Sequence, residues 1–116
     1  MNEFILKNYN KDDVKIIEIT STKLELYKTI RDKKQINNIL SNLENIKLRR
    51  YYGSIDYKPK VYYYIDIYNN NYDDIFQILI IDNNYITIKK NNNNYSTKYK
   101  IVDNTLNFED INKLLP

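Results

Sequence analysis

The chain has 116 residues, the length of one domain, and a formal net charge of +3 at pH 7. It contains no cysteine, no histidine and a single glycine. These absences exclude a disulfide framework, a zinc finger, Ser–His or Cys–His catalytic pairs, and the glycine-rich turns that bind phosphates. The composition therefore predicts no catalytic residues, no metal site and no cofactor.

The apolar residues make up 42% of the chain and are spread along it, which favours a folded domain over disorder. The longest apolar runs, at residues 61–65 and 78–81, are too short to cross a bilayer. Residues 1–7 lack the cationic and apolar blocks of a signal peptide. We expect no membrane insertion, and a cytoplasmic location if the chain is full length. The excess of Ile, Asn, Lys and Tyr, which have A/T-rich codons, is typical of a low-GC bacterium.

The first thirteen residues predict a loose N-terminal arm or an edge strand, ahead of a single domain at residues 14–116. Two stretches rich in β-branched or alternating apolar residues follow, at 14–20 and 24–30. The polar residues 21–23 between them predict a turn. The sequence therefore starts with two neighbouring strands.

The clearest helix is predicted over residues 32–47. Asp32 is followed three residues later by Gln35, the spacing of a helix N-cap and its capping-box partner. Apolar residues then recur at helical spacing and form one stripe, consisting of Ile36, Ile39, Leu40, Leu43 and Ile46. An amphipathic helix of this length needs an apolar surface beneath it, and we expect that surface to be a β-sheet.

A four-strand meander is predicted after the helix. Residues 61–68 alternate, so that Val61, Tyr63, Ile65 and Ile67 share one face, and Tyr62, Tyr64, Asp66 and Tyr68 share the other. Residues 75–81 are apolar on both faces of the predicted strand, which is typical of a central strand. Turns at 69–71, 82–84 and 91–94 lead into strands 75–81, 85–89 and 95–102; the first turn uses the tolerance of Asn for left-handed backbone.

Asn107 is predicted to cap a short C-terminal helix over residues 108–115. The element order is then strand, strand, helix, four-strand meander, helix. Because strands follow one another instead of alternating with helices, this order predicts an α+β fold. Its sheet is mostly antiparallel, with one long amphipathic helix packed on a face.

Residues 47–60 concentrate the positive charge, with five basic residues and one acidic residue. We interpret them as the long loop after the helix. Its cations suit phosphates and its neighbouring rings suit stacking, so the candidate binding residues here are Arg49, Arg50, Tyr51, Tyr52, Tyr57 and Lys58. The alternative is a solvated loop in which Lys47 and Arg49 complement the C-terminal end of the helix.

Tyr62 and Tyr64, with Tyr68, form a second candidate binding feature, a stripe of rings on one strand face. If the long helix covers the other face, these rings point outward and form a docking surface. If the C-terminal helix covers them, they belong to the core. Two sets of carboxylates could bind a cation: Asp73 and Asp74 with Asp82, or Asp66 with Glu18. No EF-hand fits, because neither glycine nor glutamate stands at the required offsets after Asn69.

Four segments together resemble small uncharacterised domains of Firmicutes, found in lipoproteins and at the C-terminal ends of membrane-anchored proteins. The segments are residues 17–21, 29–40, 63–67 and 82–86. The resemblance implies the architecture above and a binding role, and it supplies no catalytic residue. This sequence differs from those proteins in having neither a signal peptide nor a lipobox cysteine.

The leading functional hypothesis is a non-catalytic binding module for another protein, such as a small inhibitor, immunity or adaptor protein. The alternative is a nucleic-acid-contacting protein that uses the basic aromatic loop at residues 47–60. A third hypothesis is a small His-free ribonuclease, in which Arg49, Arg50, Tyr51 and Lys58 would supply charge and acid–base groups. The sequence does not fix the oligomeric state.

Overall fold

The fold of the described residues, seen in a computed structural model, is an eight-stranded sheet with one α-helix packed on one face. The structure describes residues 3–4, 9–21, 26–44, 46–54, 62–81, 84–90 and 96–102. The strands are β1 (Glu3–Phe4), β2 (Ile16–Ser21), β3 (Leu26–Ile30), β4 (Lys47–Arg50), β5 (Tyr62–Tyr68), β6 (Asp74–Ile81), β7 (Tyr85–Lys90) and β8 (Thr97–Ile101), and the helix is α1 (Lys33–Glu44). Their spatial order is β1-β4-β8-β7-β6-β5-β2-β3, and every described pair is antiparallel. The predicted α+β class is confirmed.

Helix α1 begins where the sequence predicts. The Oδ2 atom of Asp32 accepts a hydrogen bond from the backbone N–H of Gln35 at 3.0 Å, which is N-cap geometry. The stripe Ile36, Ile39, Leu40 and Leu43 is buried in the core, and Ile46 is buried just beyond the helix. The helix ends at Glu44, before the predicted limit of 47, and Lys47 is already the first residue of β4.

The sheet face beneath α1 is built from rows of apolar residues that oppose one another on neighbouring strands. Ile65 of β5 opposes Ile19 of β2 on one side and Ile78 of β6 on the other. Tyr63 and Ile67 of β5 are buried on the same face, as the alternation at 61–68 predicts. Strand β6 lies between β5 and β7, so the prediction of a central strand is confirmed.

A register shift between Ile67 and Tyr68 changes which side chains of β6 face the core. At this bulge Tyr68 opposes Asp74. Ile75 packs against the core, whereas Asp74 accepts a hydrogen bond from the side-chain amide of Gln77 at 2.8 Å. Since Gln77 lies between the core residues Phe76 and Ile78, this bond places the Asp74 carboxylate on the face opposite α1.

The predicted turn at residues 69–71 forms, but its conformation and hydrogen bonds differ from those expected. The Oδ1 atom of Asn69 accepts hydrogen bonds from the backbone N–H groups of Asn71, at 2.8 Å, and Asp73, at 3.0 Å. The left-handed residue is Tyr72, with φ of 61°, and not one of the asparagines. The Tyr72 ring packs on Tyr68 with ring centroids 5.5 Å apart, and Arg31 donates a hydrogen bond to its hydroxyl.

The interpretation of residues 47–60 as one long loop is wrong for its first four residues. Lys47–Arg50 forms β4, which pairs with β1 on one side and β8 on the other. Only Leu48 of this strand is buried, so its pattern is too short and too charged to predict a strand locally. The ladder continues past the strand, because Tyr51 donates its backbone N–H to the Lys98 carbonyl at 3.0 Å.

Several predicted features lie outside the described residues. They are the C-terminal helix at 108–115 with its cap Asn107, and most of the turns at 21–23, 82–84 and 91–94. Among the described helices, none has the length and apolarity needed to cross a membrane.

Candidate interaction surface

The sheet face opposite α1, named here the open face, carries two parallel rows of polar and aromatic side chains. The first row crosses β2, β5, β6 and β7 and consists of Glu18, Asp66, Gln77 and Lys89. The second row, one step along the same strands, consists of Thr20, Tyr64, Leu79 and Thr87. A groove of about 280 Å³ is lined by the members of both rows on β5, β6 and β7, and Tyr64 is 43% exposed beside it. The open face is therefore accessible at its centre.

One half of the open face is acidic. This acidic half consists of Glu18 on β2, Asp66 on β5 and Asp74 on β6. Glu18 and Asp66 oppose each other directly on neighbouring strands, where like charges are destabilising. Burial raises the pKa of Asp66, and the charges of Asp74 and Glu18 raise it further. Neither Glu18 nor Asp66 has an ion-pair partner among the described residues.

The same carboxylates influence their aromatic neighbour. Burial raises the pKa of the Tyr68 hydroxyl to about 12, and the charges of Asp66, Glu18 and Asp74, with Tyr27, add to this shift. The Oδ1 atom of Asp74 is buried and has no hydrogen-bond partner in the described part of the chain. The acidic half therefore holds negative charge that the described fold leaves uncompensated.

The other half of the open face is basic. This basic half consists of Lys89 on β7, Lys98 and Lys100 on β8, and Arg49 on β4. Lys98 opposes Thr87, while Lys100 opposes Tyr85 on one side and Arg49 on the other, so all of them lie on the open face. The sheet order therefore collects positive charge from three strands on the side away from the acidic half.

The structure separates the two predicted arginines. Arg49 lies on the open face, whereas Arg50 opposes Tyr99, which packs against the core on the α1 side. The Arg50 guanidinium lies 5.9 Å from the ring centroid of Tyr52 and 6.0 Å from that of Tyr99. Tyr52 is 85% exposed on that side. Consecutive residues of a strand point to opposite faces, so Arg49 and Arg50 cannot hold one phosphate together from this strand.

Tyr51 is held in place by its neighbours. Its ring packs on Tyr85 with centroids 5.0 Å apart, and its hydroxyl donates a hydrogen bond to the Ser54 carbonyl at 2.9 Å. A Cβ atom at Gly53 would lie 2.5 Å from the Tyr51 hydroxyl, so any larger residue there would displace the Tyr51 side chain. Lys98 fixes the same turn by donating a hydrogen bond to the Gly53 carbonyl at 2.6 Å.

The remaining candidate residues divide between the open face and the undescribed part of the chain. Tyr64 opposes Leu79 on the open face, and Tyr62 opposes Ile81 at the end of the same strand pair. Tyr57 and Lys58 lie outside the described residues. The sequence reasoning missed Lys89, Lys98 and Lys100 as members of a surface, although Lys98 and Lys100 have the two-residue spacing of one strand face.

In the described part of the chain, no group of three or more acidic side chains is arranged to hold a metal ion. The described open face thus provides charge, rings and a groove. Comparisons with protein-family models, with curated proteins and with solved structures give no match for this chain.

Proposed function

We propose that this protein is a non-catalytic binding module that docks another protein on its open face. The observation that carries the proposal is the opposed pair Glu18 and Asp66, which like-charge repulsion makes unfavourable unless something outside the described fold compensates it. A local arrangement that breaks a stability rule is typical of a functional site. A small inhibitor, immunity or adaptor protein would use such a surface.

The mixed charge of the open face favours a protein partner over a nucleic acid. A protein gains affinity for a nucleic acid from cationic side chains that neutralise the phosphates of the backbone. A nucleic-acid strand that crosses the open face from Arg49 would leave the basic half and meet Asp66 about 19 Å across the sheet and Glu18 about 24 Å across it, since neighbouring β-strands lie about 4.8 Å apart. Protein surfaces carry both signs of charge and match this division, which steers association and fixes register.

The experiment is affinity capture from a lysate of the source cell, with and without nuclease. The wild-type bait is compared with an open-face variant, Tyr64→Ala/Asp66→Lys. The matched control, Asn37→Ala/Lys34→Glu, changes one polar side chain and reverses one charge on the exposed face of α1. Circular dichroism verifies that all three baits are folded.

We expect one protein species to be retained by the wild type and the control, to survive nuclease treatment, and to be lost from the open-face variant. Retention that disappears with nuclease would support the nucleic-acid hypothesis instead. Retention that the open-face variant leaves unchanged would contradict the open face as the docking surface.

A further inference from the structure

We infer that the partner docked on the open face is a second copy of this chain, related by a two-fold axis that runs along β6. The inference rests on the proposed function and names its partner. It follows from a symmetry in the first row of the open face. Asp66 and Lys89 flank Gln77 on the two sides of β6, in direct register.

The geometry makes the first row of the open face complementary to itself. Neighbouring strands lie about 4.8 Å apart, so Asp66 and Lys89 are displaced by equal distances to opposite sides of β6. A two-fold axis along β6 in the interface plane turns one copy over onto the other and exchanges these two sides. Asp66 of each copy then meets Lys89 of the other, and the pair occurs twice, as an isologous interface requires.

The second row supplies the less polar part of the same interface. Leu79 lies on the axis and meets its own symmetry copy, while Tyr64 and Thr87 flank it as Asp66 and Lys89 flank Gln77. Tyr64 and Leu79 border the groove beside this axis. Two sheets related in this way keep their strands nearly aligned, the arrangement of face-to-face β-sandwich packing about 10 Å apart.

The same contact compensates the charge that the described fold leaves exposed. Lys89 has no ion-pair partner among the described residues, and neither has Asp66. In the dimer, the ammonium group from the other copy approaches the carboxylates of Asp66 and Glu18. The repulsion between those carboxylates is thereby reduced, and the charged form of Asp66 is favoured.

The test is sedimentation velocity of the full chain from about 1 µM to about 500 µM, with four proteins. They are the wild type, Asp66→Lys, Lys89→Asp, and the control Lys34→Glu on the exposed face of α1. We expect the wild type and the control to approach twice the 14.1 kDa mass of the chain as concentration rises. Each open-face variant places like charges at both symmetric contacts, so we expect its dissociation constant to increase at least about tenfold.

The decisive sample is an equimolar mixture of Asp66→Lys and Lys89→Asp. One chain then carries lysine at both positions and the other aspartate at both, so both contacts of the mixed dimer are attractive. We expect the mixture to dimerise where each variant alone is monomeric. In the double variant Asp66→Lys/Lys89→Asp, the two positions carry exchanged charges, so both contacts between two copies of this variant are attractive. We expect it to dimerise by itself.

A wild type that stays monomeric over the whole range would overturn self-association. Dimerisation that survives in both single variants, or a mixture that stays monomeric, would overturn the two-fold axis along β6. These results are separable from the proposed function. The wild type could be monomeric while the capture experiment retains a different protein that the Tyr64→Ala/Asp66→Lys bait does not retain. The open face would then still be a docking surface, but with another occupant.

Discussion

At the scale of single residues, α1 is held in place by contacts of short and of long range along the chain. The N-cap bond of Asp32 and the buried stripe are of short range, because helix periodicity is a property of neighbouring residues. The hydrogen bond from the Tyr9 hydroxyl to Glu44, at 2.6 Å, joins residues 35 positions apart, and no local pattern indicates it. Lys11 pairs with the same carboxylate at 2.9 Å. Such long-range contacts depend on the tertiary arrangement.

Leu40 should be the most sensitive position of the helix stripe. Its side chain is fully buried in the core, so Leu40→Ala removes apolar contacts and leaves a cavity. We expect the free energy of unfolding to fall by about 2–5 kcal/mol, measured by urea denaturation. The neighbouring exposed residue gives the control, Ser41→Ala, which should change stability by less than about 0.5 kcal/mol. A similar small loss for Leu40→Ala would contradict the packing of α1 on the sheet.

Asp66 and Glu44 should respond to pH with opposite signs. Burial and two neighbouring carboxylates raise the pKa of Asp66 in the folded chain, so its charged form opposes folding. The associated stability is present at low pH and is lost as pH rises from the ordinary pKa through the raised one. We therefore expect Asp66→Asn to raise the free energy of unfolding at pH 7, with a gain that shrinks as the pH falls through the raised pKa and is gone below about 4.

Glu44 provides the opposite case. Desolvation raises its pKa, but the hydrogen bonds from Tyr9 and Lys11 outweigh this and lower the pKa overall. Its stabilising contribution is present above the ordinary pKa and is lost as pH falls through the lowered one. Glu44→Gln should destabilise the chain at neutral pH and match the wild type in acid. Urea denaturation at several pH values measures both variants, and equal signs would contradict these pKa shifts.

At the scale of elements, strands with a long periodic pattern can be predicted from the sequence. A short strand that forms only because its neighbours pair with it cannot be predicted in this way. Strands β5 and β6 alternate or are apolar over seven or eight residues, so their faces and their position could be predicted. Strand β4 has four residues, three of them charged, and exists because β1 and β8 pair with it on both sides. The bulge that turns Asp74 to the open face is a property of register between strands.

Amide hydrogen exchange should distinguish β4 from the loop that the sequence suggests. Tyr51 donates its N–H to the Lys98 carbonyl, and Val102 donates its N–H to the Lys47 carbonyl, at 3.0 and 2.9 Å. We expect both amides to exchange slowly by NMR, with protection falling at the exposed Tyr52. Exchange of Tyr51 at the rate of an unprotected amide would contradict the pairing of β4 with β8.

At the scale of the whole molecule, the net charge is small, but the open face is divided into an acidic half and a basic half. The +3 of the chain gives no sign of it, and the cluster at residues 47–60 suggests a single basic loop. The division arises from strand order, which places β4, β8 and β7 on one side of β6 and β5 and β2 on the other. Tyr64 could be assigned to a candidate surface from alternation alone, but its basic neighbours come from strands far along the chain. Their assignment required the sheet topology.

The most direct test of the open face is an NMR comparison of the ¹⁵N-labelled chain, kept dilute enough to be monomeric, in buffer and in nuclease-treated lysate of its source cell. We predict that amide signals of Thr20, Tyr64, Gln77 and Thr87 lose intensity in the lysate more than those of Asn37 and Ser41 on the exposed side of α1. The Asp66→Lys variant should lose this difference, because the reversed charge weakens docking. Uniform loss over the whole chain, or loss concentrated on α1, would contradict the open face as the site where this protein meets its partner.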